Sequence, residues 1–372
     1  MLPPRGGEIM NRHTQRLVRS FRKISDSPDS SLELLPPELL QISTSSMERI
    51  GEGRFAPREV SILQISLDDS EDSESQVLRI EPGDAAIPLL PSANPRQVVG
   101  VDASSIRLGE TVQGELCAIR AALVVSGPAG ASFLRIGPLA FHLTPAQTPL
   151  NGLQNFADSN GQSHDTGRQL YRLRNRLERW TQALACRLSP KSLILIDGSL
   201  TVGTPDNPAS PVREILDLAR RNSSRVLGLS KSTRLQFSGR SALNLLAGDS
   251  PGLVDITDLI ESQFPSSPVS LLGWVFVARL ASDGFPFRLD IDRELRREEA
   301  IESVRVLVKS DLVYQGYPET LRVAHILSTF TANEVIGLQR FISHKYGLKM
   351  TDQPDIRRLL FGPFGTSRGT FH

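Results

Sequence analysis

Two compact apolar runs that each stop on a carboxylate, QVVGVD at 97–102 and LILID at 193–197, constrain this 372-residue chain more than any other feature. Unbroken apolar runs of that length read as buried central strands, covered on both faces by other layers. Between them Leu170, Leu173, Leu177, Trp180, Leu184 and Leu188 recur at three- and four-residue spacing, and Pro190 follows. That is the stripe of a long amphipathic helix with its terminator. Before the helix, Cys117, Ile119, Ala121, Leu123 and Val125 alternate, and a further run at 133–143 follows Gly-Pro-Ala-Gly. Three adjacent strands therefore precede the helix. Downstream the pattern predicts a helix over 211–221, a buried strand over 226–229, strands over 271–280 and 303–308, and helices over 318–330 and 333–345. The fold class expected is α/β, with a mixed central sheet flanked by helices and an N-terminal extension.

Composition matters mainly by exclusion. A hydrophobic content of 39% allows a large core, and a net charge of +1 names no partner, because local patches rather than totals steer binding. Arg5, Arg12, Arg16, Arg19, Arg22 and Lys23 make residues 1–30 a basic arm, expected to be mobile; 68–76 reads as an acidic exposed loop. Residues 31–95 are expected to form an extension for partner docking or dimerisation, 96–350 the main domain and 351–372 a tail. Cys117 and Cys186 have neither the spacing of a zinc site nor the density of a disulfide scaffold, which points to a reducing, cytoplasmic setting. The longest apolar stretch, near 271–280, is too short to span a bilayer, so no membrane role is expected.

The chemistry concentrates around the two aspartates. Asp102 and Asp197 are expected at strand ends, each followed by small residues that let a ligand approach the backbone. If the strands are neighbours the carboxylates converge, and close carboxylates repel unless a cation neutralises them. Glu178, at the border of the helix stripe, is placed to lean over the sheet edge toward both. Mg²⁺ or Mn²⁺ held by such a cluster suits phosphodiester hydrolysis. Arg168, Arg172, Arg174, Arg176 and Arg179 on the same helix, and Arg220, Arg221, Arg225, Arg234 and Arg240 further on, suit sequence-independent phosphate binding. Taken singly, each residue also fits an ordinary role. Asp102 or Asp197 fits a turn or cap, Glu178 an ion pair with Arg174, and the arginines a solvated face.

Taken in order, VGVDASS, LILIDGSL, LGLSKS and GYPETLRVAH resemble the successive signatures of the NurA family over residues 96–346. Strand, strand, strand, helix with Glu, strand with Asp also resembles ribonuclease H-like nucleases. The resemblance implies Asp102, Glu178, Asp197 and His325 as metal ligands of a DNA nuclease. It further implies Lys231 facing the scissile phosphate or the metal-bound water, His325 completing the metal site or assisting proton transfer, and Tyr317 orienting His325 or the phosphate; the eight positions between Tyr317 and His325 fit one face of a helix. Arg174, Lys231 and Arg234 are the expected DNA contacts. Lys231 also fits an exposed surface lysine and His325 a packed helix histidine. The chain departs from the family pattern at Ala103, where glycine is usual. By the same resemblance the activities are a 5′–3′ exonuclease on DNA ends and an endonuclease on single strands. Homodimers docking on a HerA-type hexameric ATPase are implied too, and the chain has no P-loop of its own. The rival reading is a non-catalytic DNA-binding or scaffolding subunit on the same fold.

Overall fold

The computed structural model describes residues 35–50, 53–58, 77–78, 86–128, 130–145, 165–230, 236–237, 240–241, 246, 250–263, 269–282 and 284–351. The expected arm at 1–30 and the acidic loop at 68–76 lie outside them. The first elements are α1 (Pro37–Glu48), β1 (Arg54–Pro57), β2 (Val98–Thr111), β3 (Glu115–Gly127), β4 (Gly130–Leu143), α2 (Thr166–Leu188) and β5 (Leu193–Asp197). There follow α3 (Ala209–Arg221), β6 (Arg225–Ser230), β7 (Gly252–Asp255), β8 (Gly273–Arg279), β9 (Phe287–Asp292), α4 (Arg297–Ser310), α5 (Glu319–Ser328) and α6 (Ala332–Lys345).

The sheet runs β4-β3-β2-β5-β6-β9-β8-β7, with β1 beside the far half of β2. The three leading strands are antiparallel, β5 joins β2 in parallel and β6 joins β5 in parallel. This mixed sheet, in which β2 to β6 lie in the order β4-β3-β2-β5-β6, is the ribonuclease H-like arrangement expected from the sequence. Alternation along the strands assigns the two helical layers. Val99, Val101, Ile194 and Ile196 pack with Ala185, Val212 and Leu216 of α2 and α3, whereas Val98, Leu193 and Leu195 pack with Val304 and Leu321 of α4 and α5.

Several expectations need correction. Residues 303–308 are not a strand but the second half of α4. The run VRVLV reads as extended in isolation, yet Ala300, Ile301, Val304 and Leu307 form a buried helical stripe, and Glu299 accepts from the Arg296 backbone to open the helix. The last-but-one helix begins at Glu319 rather than at 318, because Tyr317–Pro318 pairs with Val313–Tyr314 in a small hairpin. Strands β7 and β9 carry no signal the sequence reading used. In the extension, Leu39 and Ile42 of α1 pack on Phe141 and Leu143, and Phe55 of β1 is fully buried with Leu108 and Leu116. No described helix is long and apolar enough to cross a membrane.

Two contacts fix α5 against the sheet. Gly100 lies where a Cβ would come 2.6 Å from the Thr320 carbonyl oxygen, so only glycine admits the first turn of α5 at this depth. At the other end Arg120, 4% exposed, donates to the Thr329 carbonyl and to Glu334 (3.1 Å each), and its guanidinium lies 4.3 Å over the Phe330 ring. Burial pushes the Glu334 carboxyl up, but hydrogen bonds from the Thr331 backbone, Arg120 and Arg135 outweigh it and hold its pKa at about 2. The α5–α6 junction is thereby tied to β3 by charge-assisted bonds.

Candidate metal centre

The parallel register explains how residues 95 positions apart meet. Val98 pairs with Leu193 and Val101 with Ile196, so Asp102 and Asp197 occupy the next step of the same ladder. Both belong to the face that carries α5, since Val98, Leu193 and Leu195 of the same parity point there. Asp197 does end its strand. Asp102 does not: β2 continues to Thr111, and Asp102 is an interior position, 5% exposed. The apolar run ends there because one face ceases to be covered by hydrophobic groups, not because the strand stops. Ala103, on the opposite face and 5% exposed, is in extended backbone within the strand, so alanine meets no conformational penalty where the family has glycine.

His325 of α5 lies above this pair. Its Nδ1 donates to Asp102 Oδ2 at 3.1 Å and stands 4.0 Å from Asp197 Oδ2. One ligand atom from each of Asp102, Asp197 and His325 lies within 4.8 Å of the other two. Two carboxylates and an imidazole at that spacing are a donor set for a hard or borderline divalent cation, and they stand at the carboxyl edge of β5, where α/β sheets bind ligands.

Ser328, one turn beyond His325, touches the site and was not singled out by the sequence. Its hydroxyl donates to Asp102 Oδ2 at 2.5 Å, and its carbonyl accepts from Ser104 Oγ at 2.5 Å. Spacing of three from His325 places it on the same helical face, a signal present in AHILS. The turn after Asp197 is held as deliberately. Gly198 has φ +111, donates to the Leu229 carbonyl at 2.8 Å, and brings its own carbonyl to where a Cβ on Gly228 would be 2.6 Å away. Two residues on, the Leu200 N–H donates to the fully buried Asp290.

Glu178 comes from the opposite helical layer and lies outside the tight trio. It is buried, and Gln182 Nε2 donates to its Oε1 at 2.9 Å, so the solvated ion pair with Arg174 is not what forms. Burial raises its pKa to about 7 against the pull of Arg179 and Arg174, with Asp102 and Asp197 adding to the rise. The two aspartates are thus felt across the sheet rim. Because the folded protein holds this proton more tightly than the unfolded chain, Glu178 favours folding below pH 4.5 and loses that advantage as pH rises toward 7. In EDTA, the thermal midpoint of the parent is expected to fall across pH 4.5 to 7 more steeply than that of Glu178→Gln. Parallel pH profiles would remove Glu178 from this role.

Tyr317 sits in the hairpin before α5, not on the helix, so it does not share a helical face with His325. It still reaches the site: its hydroxyl is buried, and burial together with the charges of Asp197 and Asp102 keeps the phenol protonated far above the usual tyrosine range. Its ring meets Phe287 edge-on at 5.9 Å. Lys231, Arg234 and Arg240 were expected near the cleft. Lys231 and Arg234 lie outside the described residues, and Arg240 is described only as strand backbone. Arg174 lies one turn before Glu178, its guanidinium 5.1 Å over the Tyr171 ring. Other helix arginines are engaged structurally: Arg168 and Arg172 with Asp206, Arg176 with Glu38, and Arg179 with Gln182 and Asn207. Arg220 pairs with Asp292, and Arg225 opens β6 at the edge opposite the aspartates, away from the centre.

Solved structures similar to the chain include the NurA nuclease from Sulfolobus solfataricus, at 17% identity over 70% of this chain and 88% of that one, with a TM-score of 0.49. A NurA solved with manganese matches at 11% identity, covering 68% and 90% of the two chains with a TM-score of 0.39. Endonuclease V from Bacillus subtilis matches at 15% identity, covering 70% and 88%, with a TM-score of 0.32. No curated protein matches. The NurA domain model matches residues 96–328, a span that contains Asp102, Glu178, Asp197, Tyr317, His325 and Ser328, and the chain belongs to the NurA domain family.

Proposed function

We propose that this chain is a metal-dependent DNA nuclease that hydrolyses phosphodiester bonds, as a 5′–3′ exonuclease on DNA ends and an endonuclease on single strands. The single observation that carries the reading is the convergence of Asp102, Asp197 and His325 within 4.8 Å. A binding subunit needs donors for phosphate, whereas this centre presents acids. Mn²⁺, with Mg²⁺ as substitute, is the ion the donor set and the family favour, since NurA structures have been solved with manganese and with dAMP plus manganese. Bound there, a divalent cation would neutralise charge developing on phosphate and make water a better nucleophile.

In this reading Asp102 and Asp197 hold the cation and His325 completes its donors or moves a proton. Glu178 completes the acidic set, and its shifted pKa suits proton acceptance near neutrality. Tyr317 orients the phosphate, and Lys231, Arg174 and Arg234 draw the backbone of the DNA. Ser328 positions Asp102, so Ser328→Ala is expected to weaken Mn²⁺ binding about 10- to 100-fold by calorimetry. Unaltered affinity would make its hydroxyl a bystander. The chain's place is in DNA-end processing and repair in the cytoplasm, as a homodimer fed by a HerA-type hexameric ATPase.

The test is cleavage of end-labelled single strands, linear duplexes and single-stranded circles with Mn²⁺ against EDTA. Metal-dependent shortening from 5′ ends and opening of circles are expected. DNA binding without any cleavage would replace the reading with that of a scaffolding subunit.

A further inference from the structure

Large apolar side chains exposed singly need no explanation, but several on one small unit beside a reactive centre do. Phe285 (78% exposed), Leu312 (69%) and Tyr314 (56%) belong to the hairpin that carries Tyr317 and to the loop packed against it. The hairpin closes through Gln315 and Gly316, both at positive φ, and its register sets Tyr314 directly opposite Tyr317. Opposed residues of an antiparallel pair share a face, with Cβ atoms about 5 Å apart. Tyr317 has a buried hydroxyl that feels the charges of Asp197 and Asp102, while Tyr314 beside it on that face stays in solvent.

Backbone contact places Phe285 at the same spot. A Cβ on Gly284 would lie 2.4 Å from Gly316 Cα, and one on Gly316 would lie 3.0 Å from Phe285 N, so the loop and the turn touch with nothing between them. Arg322 of α5, one turn before His325, lays its guanidinium 5.8 Å over the Tyr314 ring while paired with Glu319. An exposed aromatic with a cation over its face is what stacked bases and their phosphates use, and any base offers a π-face.

We propose that Tyr314 and Phe285, flanked by Arg322, form a platform on which bases of single-stranded DNA stack next to the Asp102–Asp197–His325 centre. The proposal deepens the nuclease reading and rests on it. A strand whose phosphate reaches the aspartates lays its neighbouring nucleotides along the rim, and unpaired bases have faces to stack there while paired bases do not. A protein seated on the same ridge would crowd the approach to Tyr317 and the acids. The platform gives the site its preference for single strands without base-specific contacts.

Fluorescence anisotropy in EDTA, with a labelled oligothymidylate, an abasic strand of equal length and a blunt duplex, tests this on the full chain. Tyr314→Ala and Phe285→Ala are each expected to weaken oligothymidylate binding about tenfold or more while leaving abasic and duplex binding unchanged. Tyr314→Phe and Phe285→Tyr are expected to retain parental affinity. Alanine variants that bind oligothymidylate like a parent that cuts DNA would overturn the platform alone. Equal losses on the abasic strand, or a change of oligomeric state in place of the binding change, would overturn it as well and mark the ridge as a protein interface. A parent that neither binds nor cuts DNA would overturn the nuclease reading and the platform together.

Discussion

Asp102→Asn and Asp197→Asn are each expected to lower Mn²⁺-dependent DNA cleavage by about 10³-fold or more, with the fold intact. Asparagine keeps the side-chain shape and an acceptor for the Ser328 hydroxyl, so the packing around a residue only 5% exposed is preserved. What disappears is one negative charge at the centre of the trio. A cation's stabilisation of transition-state charge amounts to several kcal/mol, and about 1.4 kcal/mol is a factor of ten in rate. Removing a carboxylate also relieves repulsion, so the metal-free variants should be no less stable than the parent. The pairing of lost turnover with undiminished thermal midpoint separates a chemical role from a structural one. Cleavage within a few fold of the parent in both variants would contradict the assignment.

Asp290→Ala is expected to have the largest effect on stability, although its side chain belongs to none of the candidate ligands. Asp290 is fully buried; Arg288 Nε and Nη2 donate to its two oxygens at 2.7 and 2.8 Å, and the Leu200 N–H donates at 2.9 Å. Truncation leaves the Arg288 guanidinium, 12% exposed, without its counter-charge. Breaking a buried pair from one side costs about 3–5 kcal/mol. For a chain of this size the thermal midpoint should drop by roughly 10 °C. Turnover should also fall, by about 10²-fold, because Leu200 anchors the turn that follows Asp197 and misplacement of a reacting group by 1 Å costs that much. Asp290→Asn, which retains an acceptor for Leu200, should be milder on both counts. A thermal midpoint unchanged in Asp290→Ala would show that the pair adds nothing.

Much of this was legible because the decisive signals are local. The runs at 97–102 and 193–197 announce buried strands, the leucine stripe from 170 to 188 announces α2, and their order announces the topology. What the sequence does not show is set by contacts between distant segments. Asp102 reads as a strand end because its apolar run stops, yet β2 continues, since pairing with β1 and β3 extends the strand beyond the point where burial on one face lapses. The run at 303–308 reads as a strand because β-branched residues cluster there, and only packing against the sheet reveals its helical period. Ser328 and Asp290 act through partners 226 and 90 positions away, and neither carries a motif. Gly100 was in plain view within VGVD, but its meaning, room for the Thr320 carbonyl, exists only once α5 is in place.

The most direct measurement is anomalous diffraction at the manganese edge from crystals soaked in Mn²⁺, for the parent and for Asp102→Asn. A strong peak within coordination distance of Asp102, Asp197 and His325, lost in the variant, is the predicted result. A peak that persists in Asp102→Asn, or manganese bound elsewhere while these three residues contact none, would contradict it.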